Sequence, residues 1–155
     1  MVFIRELQMN NFERIPSELK ALKQWILWKR EQLENSKSTK IPYSTFHNLA
    51  SVTNPNDWST FDSVVATYNL GGFDGIGFVF TENDPYTGID LDDAEGDAVI
   101  YERQLKIFKE FSSYSELSPS GKGLHIIVKG KVESGRRKSK IEIYSAKRYF
   151  YSNDF

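Results

Sequence analysis

Two short apolar runs, each carrying glycine and set close together, constrain this chain more than any other feature. Residues 75–81 read Gly-Ile-Gly-Phe-Val-Phe-Thr and residues 88–92 read Gly-Ile-Asp-Leu-Asp, with the turn-forming Asn83-Asp84-Pro85 between them. Aliphatic and aromatic residues bounded by turn formers are strand signals, and two such runs in succession are expected to pair antiparallel. On the second strand side chains alternate, so Asp90 and Asp92 share one face while Ile89 and Leu91 share the other.

Around this pair the hydrophobic period switches between helix and strand. Pro16-Ser17-Glu18 opens a short helix through about Lys23, with proline in the first turn where its missing N–H does no harm. Phe61, Val64, Val65 and Tyr68 stand at i, i+3, i+4 and i+7, and Gly71-Gly72 stops that helix. Tyr101, Leu105, Phe108 and Phe111 predict another over residues 98–111. Residues 25–28, a turn at 35–38 and residues 40–43 read as a hairpin. Residues 114–117 and 124–129 are strands flanking Ser118-Pro119-Ser120-Gly121-Lys122-Gly123, and 140–145 with 148–152 read as a final hairpin. Elements mixed in this order predict an α+β fold with a largely antiparallel sheet, in one domain spanning residues 1–155. There is no cysteine, which excludes disulfides, a cysteine zinc site and a thiol nucleophile. With no signal-like N-terminus and no apolar run of roughly 18 residues, a cytoplasmic chain without membrane contact is expected.

The net charge of −1 hides an asymmetry. From Glu82 to Asp97 there are seven acids (Glu82, Asp84, Asp90, Asp92, Asp93, Glu95, Asp97) and no base. From Lys129 to Arg148 there are eight bases against Glu133 and Glu142. Two solvated loops explain such runs as readily as an acidic metal pocket beside a basic surface for phosphates. The residues inside each run sharpen the choice. Two carboxylates on one face of an apolar strand repel each other and resist desolvation, and a divalent cation relieves both costs. Oxygen ligands favour Mg²⁺ or Mn²⁺. In the Ser118–Gly123 segment, small residues let backbone N–H groups turn toward an anion, and Lys122 and His125 add positive donors. It is not a Walker A loop: Glu116 stands where the first glycine belongs, and Gly123 follows the lysine. Glu142, flanked by Ile141 and Ile143, faces away from both and becomes a third carboxylate if its face meets that of Asp90 and Asp92. His47 reads as a surface residue of a polar loop.

Gly88-Ile-Asp-Leu-Asp-Asp93, then Leu117-Ser-Pro-Ser-Gly-Lys-Gly-Leu-His-Ile126, then Ile141-Glu-Ile-Tyr-Ser145 followed by Arg148-Tyr-Phe150, in this order, resemble the archaeo-eukaryotic primase superfamily. More narrowly, they resemble the primase-polymerase domains at the N-terminus of phage and plasmid replication proteins. The likeness runs from about Ile15 to Phe150. It implies a primase-polymerase catalytic core with an RRM-like second half, and template-directed nucleotidyl transfer in phage or plasmid replication. It implies Asp90, Asp92 and Glu142 as catalytic ligands of two Mg²⁺ or Mn²⁺ ions. Ser118, Ser120, Gly121, Lys122, Gly123, His125 and Arg148 would bind a nucleoside triphosphate. Arg136, Arg137, Lys138 and Lys140 would track a single-stranded DNA template and primer, and Lys40 would lie near the site. The expected setting is a longer replication protein, with a helicase domain in the same or a neighbouring chain. Two other activities share these residues: a non-catalytic module for single-stranded nucleic acid or nucleotide, and a metal-dependent nuclease.

Overall fold

The computed structural model describes residues 12–32 and 38–152. The strands of the described residues form two sheets. In the first, β1 (Trp25–Gln32) lies between β2 (Ser38–Tyr43) and β3 (Gly75–Phe80), and β3 takes β9 (Arg148–Ser152) on its other edge. The second runs β5 (Ser115–Leu117), β6 (Leu124–Lys129), β4 (Tyr86–Leu91), β8 (Ile141–Tyr144), β7 (Arg136–Lys138). Every pairing between these strands is antiparallel. Among the described residues three α-helices accompany them: α1 (Ser17–Lys20), α2 (Phe61–Asn69) and α3 (Ala98–Phe111). The class is α+β, as the alternating periods predict. The helix at 17 ends at Lys20 rather than continuing to Lys23.

Trp25, Leu27, Ile76, Phe78 and Phe80 form a buried cluster with Phe61 and Val64 of α2 and with Tyr86, Ile127 and Tyr144 of the second sheet. The opposite face of the second sheet, carrying Ile89, Leu91, Ile126 and Ile141, packs against Ile107 and Phe108 of α3. Both longer helices begin on side-chain caps: Thr60 accepts from the Ser63 N–H at 3.3 Å and Asp97 from the Ile100 N–H at 3.0 Å. Because β4 and β5 both run antiparallel to β6, which lies between them, β4–α3–β5 is a split β-α-β unit.

Two expected pairings are replaced. β3 and β4 do not pair: β3 is occupied on both edges by β1 and β9, and β4 by β6 and β8. The turn between them carries the chain from one sheet to the other around Asp84. That buried carboxylate accepts from the Thr81 N–H at 2.7 Å, the Tyr86 N–H at 2.8 Å and the Gln24 side chain at 2.8 Å. The expected final hairpin is likewise divided, β8 joining the second sheet and β9 the first. Alternation fixes which face a strand buries, whereas pairing depends on its edges, and a strand has only two. The basic stretch also holds a strand, β7, where a loop was expected. The predicted turn at 35–38 lies outside the described residues up to Ser38, which begins β2.

Candidate active site

Register in the second sheet aligns five residues in one transverse row. Glu116 lies opposite His125, His125 opposite Asp90, Asp90 opposite Glu142, and Glu142 opposite Arg137. Directly opposed residues of antiparallel strands project from the same face, so these five side chains share the face turned away from α3. Just past the end of β4, Asp92 continues the ladder by donating its N–H to the Lys140 carbonyl at 2.9 Å. Asp90 and Glu142, separated by 52 positions in sequence, are therefore cross-strand neighbours, with Asp92 beside them.

Each carboxylate has a nitrogen-bearing side chain from another element beside it. The Arg137 guanidinium lies 3.3 Å from Asp92, that of Arg148 lies 3.5 Å from Glu142, and His125 Nε2 lies 3.7 Å from Asp90. Burial pushes the Asp90 carboxyl above its usual pKa; His125 and Lys40 oppose the rise, while Asp92 and Glu142 add to it. Lys40 is drawn the other way. Burial lowers its ammonium pKa, Arg30 adds to the fall, and Asp90 and Asp92 resist it. Its Nζ stands 3.9 Å above the Tyr151 ring, a cation–π contact, and Tyr149 donates its hydroxyl to the Lys40 carbonyl at 3.1 Å.

His125 is 2% exposed and its ring stacks on Phe150, centroids 4.2 Å apart and planes 1° from parallel. Gly88, two residues before Asp90, makes room for this arrangement: a Cβ there would lie 2.8 Å from the Phe150 ring and 2.9 Å from that of Phe80.

The Ser118–Gly123 turn spends its donors on itself. Gly121 N–H binds the Ser118 carbonyl at 2.7 Å, Gly123 N–H the Ser118 hydroxyl at 3.0 Å, and Lys122 N–H the Ser120 hydroxyl at 3.3 Å. Gly121 takes φ +72°, where a side chain is strained. The Lys122 ammonium pairs with Glu95 at 2.7 Å and Asp93 at 3.6 Å. It lines an open, largely apolar pocket of about 930 Å³ that also touches Leu105 and Phe108, on the α3 side of the sheet. His125 and Lys122 consequently point to different sides.

The predicted basic surface divides in the same way. Arg137 shares the acidic face, whereas Arg136 and Lys138 lie opposite Ile143 and Ile141 and share theirs. Lys140 gives its ammonium to the Asp93 carbonyl at 2.6 Å. A groove of about 650 Å³ leads from Glu142 past Arg148 and Arg137 to Arg136 and Lys147. The acidic run is dispersed too. Asp84 holds a turn, Asp97 caps α3, Asp93 and Glu95 engage Lys122, and Asp90 and Asp92 stand in or beside the row.

The sequence reading singled out neither Glu116 nor Tyr151. β5 is three residues long, too short to show an alternation that would mark Glu116 as inward-facing.

No protein-family model matches the chain. A DNA primase-polymerase of Nitratiruptor phage NrS-1 is 39% identical to it over 136 residues. This chain is homologous to a phage primase-polymerase. The match takes in 81% of the chain and 18% of the relative, so the chain spans less than a fifth of that protein's length. Among the described residues no helix is long and apolar enough to cross a membrane.

Proposed function

We propose that this chain is a nucleotidyltransferase core that adds nucleotides to a primer on a single-stranded DNA template. The observation that supports the reading is the transverse row and its flank: Asp90 and Glu142 are cross-strand neighbours next to His125, with Asp92 beside them and Arg137 and Arg148 on the outer carboxylates, in a chain homologous to a primase-polymerase.

The donor set suits hard dications. Among the described residues no group of three or more Asp, Glu or His side chains stands close enough, as arranged, to hold an ion. In this arrangement Asp92 and Glu142 are each paired with an arginine. Burial raises the Asp90 pKa by more than His125 and Lys40 lower it, which is the condition a dication relieves. Asp90, Asp92 and Glu142 would hold Mg²⁺ or Mn²⁺, which when bound supply Lewis acidity for a primer hydroxyl and for the phosphates of the incoming nucleotide. Arg137 and Arg148, released from the carboxylates, would hold phosphate oxygens in a fork that lysine does not offer. The groove beyond Arg148 suits a nucleic-acid backbone, which is read by charge rather than by base.

The test is extension of a labelled primer on a single-stranded template with Mn²⁺ and nucleoside triphosphates, accompanied by calorimetric titration of both ligands. Asp90→Ala and Asp92→Ala are each expected to abolish extension with the fold retained. Full activity in both variants, or no saturable heat with either ligand, overturns the assignment. Shortening of the labelled strand instead of lengthening points to a nuclease.

A further inference from the structure

The buried carboxylate of Glu116 is unexplained by metal or nucleotide binding. Glu116 is 4% exposed, and burying a charge is costly unless it is well satisfied. Its partners supply hydrogens: Tyr114 donates its hydroxyl at 2.9 Å, Ser152 donates at 2.9 Å, and His125 Nδ1 lies 3.5 Å from Oε1. Desolvation and Glu116 together hold the Tyr114 hydroxyl far above its usual pKa, so that it stays a donor. A carboxylate only accepts, so the ring nitrogen facing it has to carry a proton.

The rest of the surroundings fix the ring itself. His125 lies between Glu116 and Asp90 on neighbouring strands, flat against Phe150, with Nε2 turned toward Asp90. Ser152, one of the two hydroxyls on Glu116, comes from the same strand as Phe150. β9 therefore sets both the plane of the ring and the carboxylate behind it. Nothing in this arrangement needs Glu116 to touch a substrate.

We infer that Glu116 is a positioning residue. It holds the proton of His125 on Nδ1 and thereby directs Nε2 to the acidic row, where the proposed reaction brings phosphate. The functional half of this inference rests on the nucleotidyl-transfer reading; the half concerning the Nδ1 proton does not.

The chain has two histidines, and His47 takes a left-handed backbone (φ 64°) that asparagine tolerates. In a His47→Asn protein labelled with ¹⁵N-histidine, long-range ¹H–¹⁵N spectra read His125 alone. A protonated Nδ1 is expected, and Glu116→Gln should shift that nitrogen toward the unprotonated position. An unprotonated Nδ1 in the protein with Glu116 intact overturns the inference whether or not any variant folds.

A second measurement separates positioning from an independent role. In titrations of a nucleoside triphosphate with Mn²⁺, Glu116→Gln should weaken binding roughly 10- to 100-fold, as loss of a residue that orients a ligand does. It should weaken binding no further in a His125→Ala background. Losses that add in the double variant overturn the inference. If the unaltered protein binds no triphosphate, the nucleotidyl-transfer reading fails, and the Nδ1 spectrum alone decides for or against Glu116.

Discussion

Replacing Gly88 by alanine tests the junction on which the acidic row rests. The backbone there is open to any residue, so the substitution should gain about 0.5–1 kcal/mol from the lost flexibility of glycine in a strand. Against this, the new methyl would meet the Phe150 ring at 2.8 Å and 2.9 Å and the Phe80 ring at 2.9 Å, all inside van der Waals contact. Phe150 and Phe80 are 1% and 0% exposed and lie edge-to-face on each other at 5.1 Å, so neither ring has free space to retreat into. Overpacking of a core costs about 1–3 kcal/mol, and here it should win, leaving a net loss of about 1–2 kcal/mol. For a chain of this length that lowers Tm by roughly 2–8 °C in a thermal scan. Pairing Gly88→Ala with Phe150→Leu, which removes the offending ring atoms, should recover part of the loss, by more than the additivity error of about 0.5 kcal/mol. A Gly88→Ala protein that melts higher than the parent, or a double variant that is strictly additive, would refute the claim that Phe150 of β9 packs directly against Gly88.

Other outcomes follow from the charges. The elevated Asp90 pKa means that the folded chain keeps a proton which the unfolded chain releases near the usual 3.8, so the ionised carboxylate opposes folding as pH rises through the elevated value. Asp90→Asn should therefore match the parent in urea unfolding below about pH 3.8 and exceed it at neutral pH; equal midpoints at both would contradict the shift. Mn²⁺ at 100 times its Kd should stabilise the parent by about 2.7 kcal/mol, a rise in Tm of roughly 5–11 °C, and should leave Asp90→Asn unmoved. Asp84→Ala should cost about 1–3 kcal/mol by leaving the buried donors of the turn, the Thr81 and Tyr86 N–H groups, without their acceptor. A loss under 1 kcal/mol would show that the turn is held by other contacts.

Faces were legible in the sequence and edges were not. The spacing of Phe61, Val64, Val65 and Tyr68 and the run from Ala98 to Phe111 located α2 and α3, because a period of 3.6 is written into which residues are apolar. Alternation also placed Asp90 and Asp92 on one side and Ile89 and Leu91 on the other. β3 and β4 looked like a hairpin because both are apolar and adjacent, yet each is a central strand whose partners come from distant segments. That choice depends on how sheets stack, which no local pattern encodes. Likewise, the acids from Glu82 to Asp97 form one tract in sequence but serve a turn, a helix cap, surface ion pairs and the candidate site in space. Glu116 went unread because its role is defined by Ser152, 36 positions away.

The two connectors between the sheets, residues 81–85 and 145–147, are short and lie side by side. Lys131 fastens both, donating to the Thr81 carbonyl at 2.5 Å and to the Ser145 carbonyl at 2.8 Å, while Lys147 N–H binds the Phe80 carbonyl at 3.1 Å. A double strap of this kind ties the two sheets together where the chain crosses between them and opposes their parting at that edge. On the proposed nucleotidyl-transfer reading, Arg137 and Arg148 would meet an incoming phosphate by exchanging their carboxylate partners on a frame fastened at this junction.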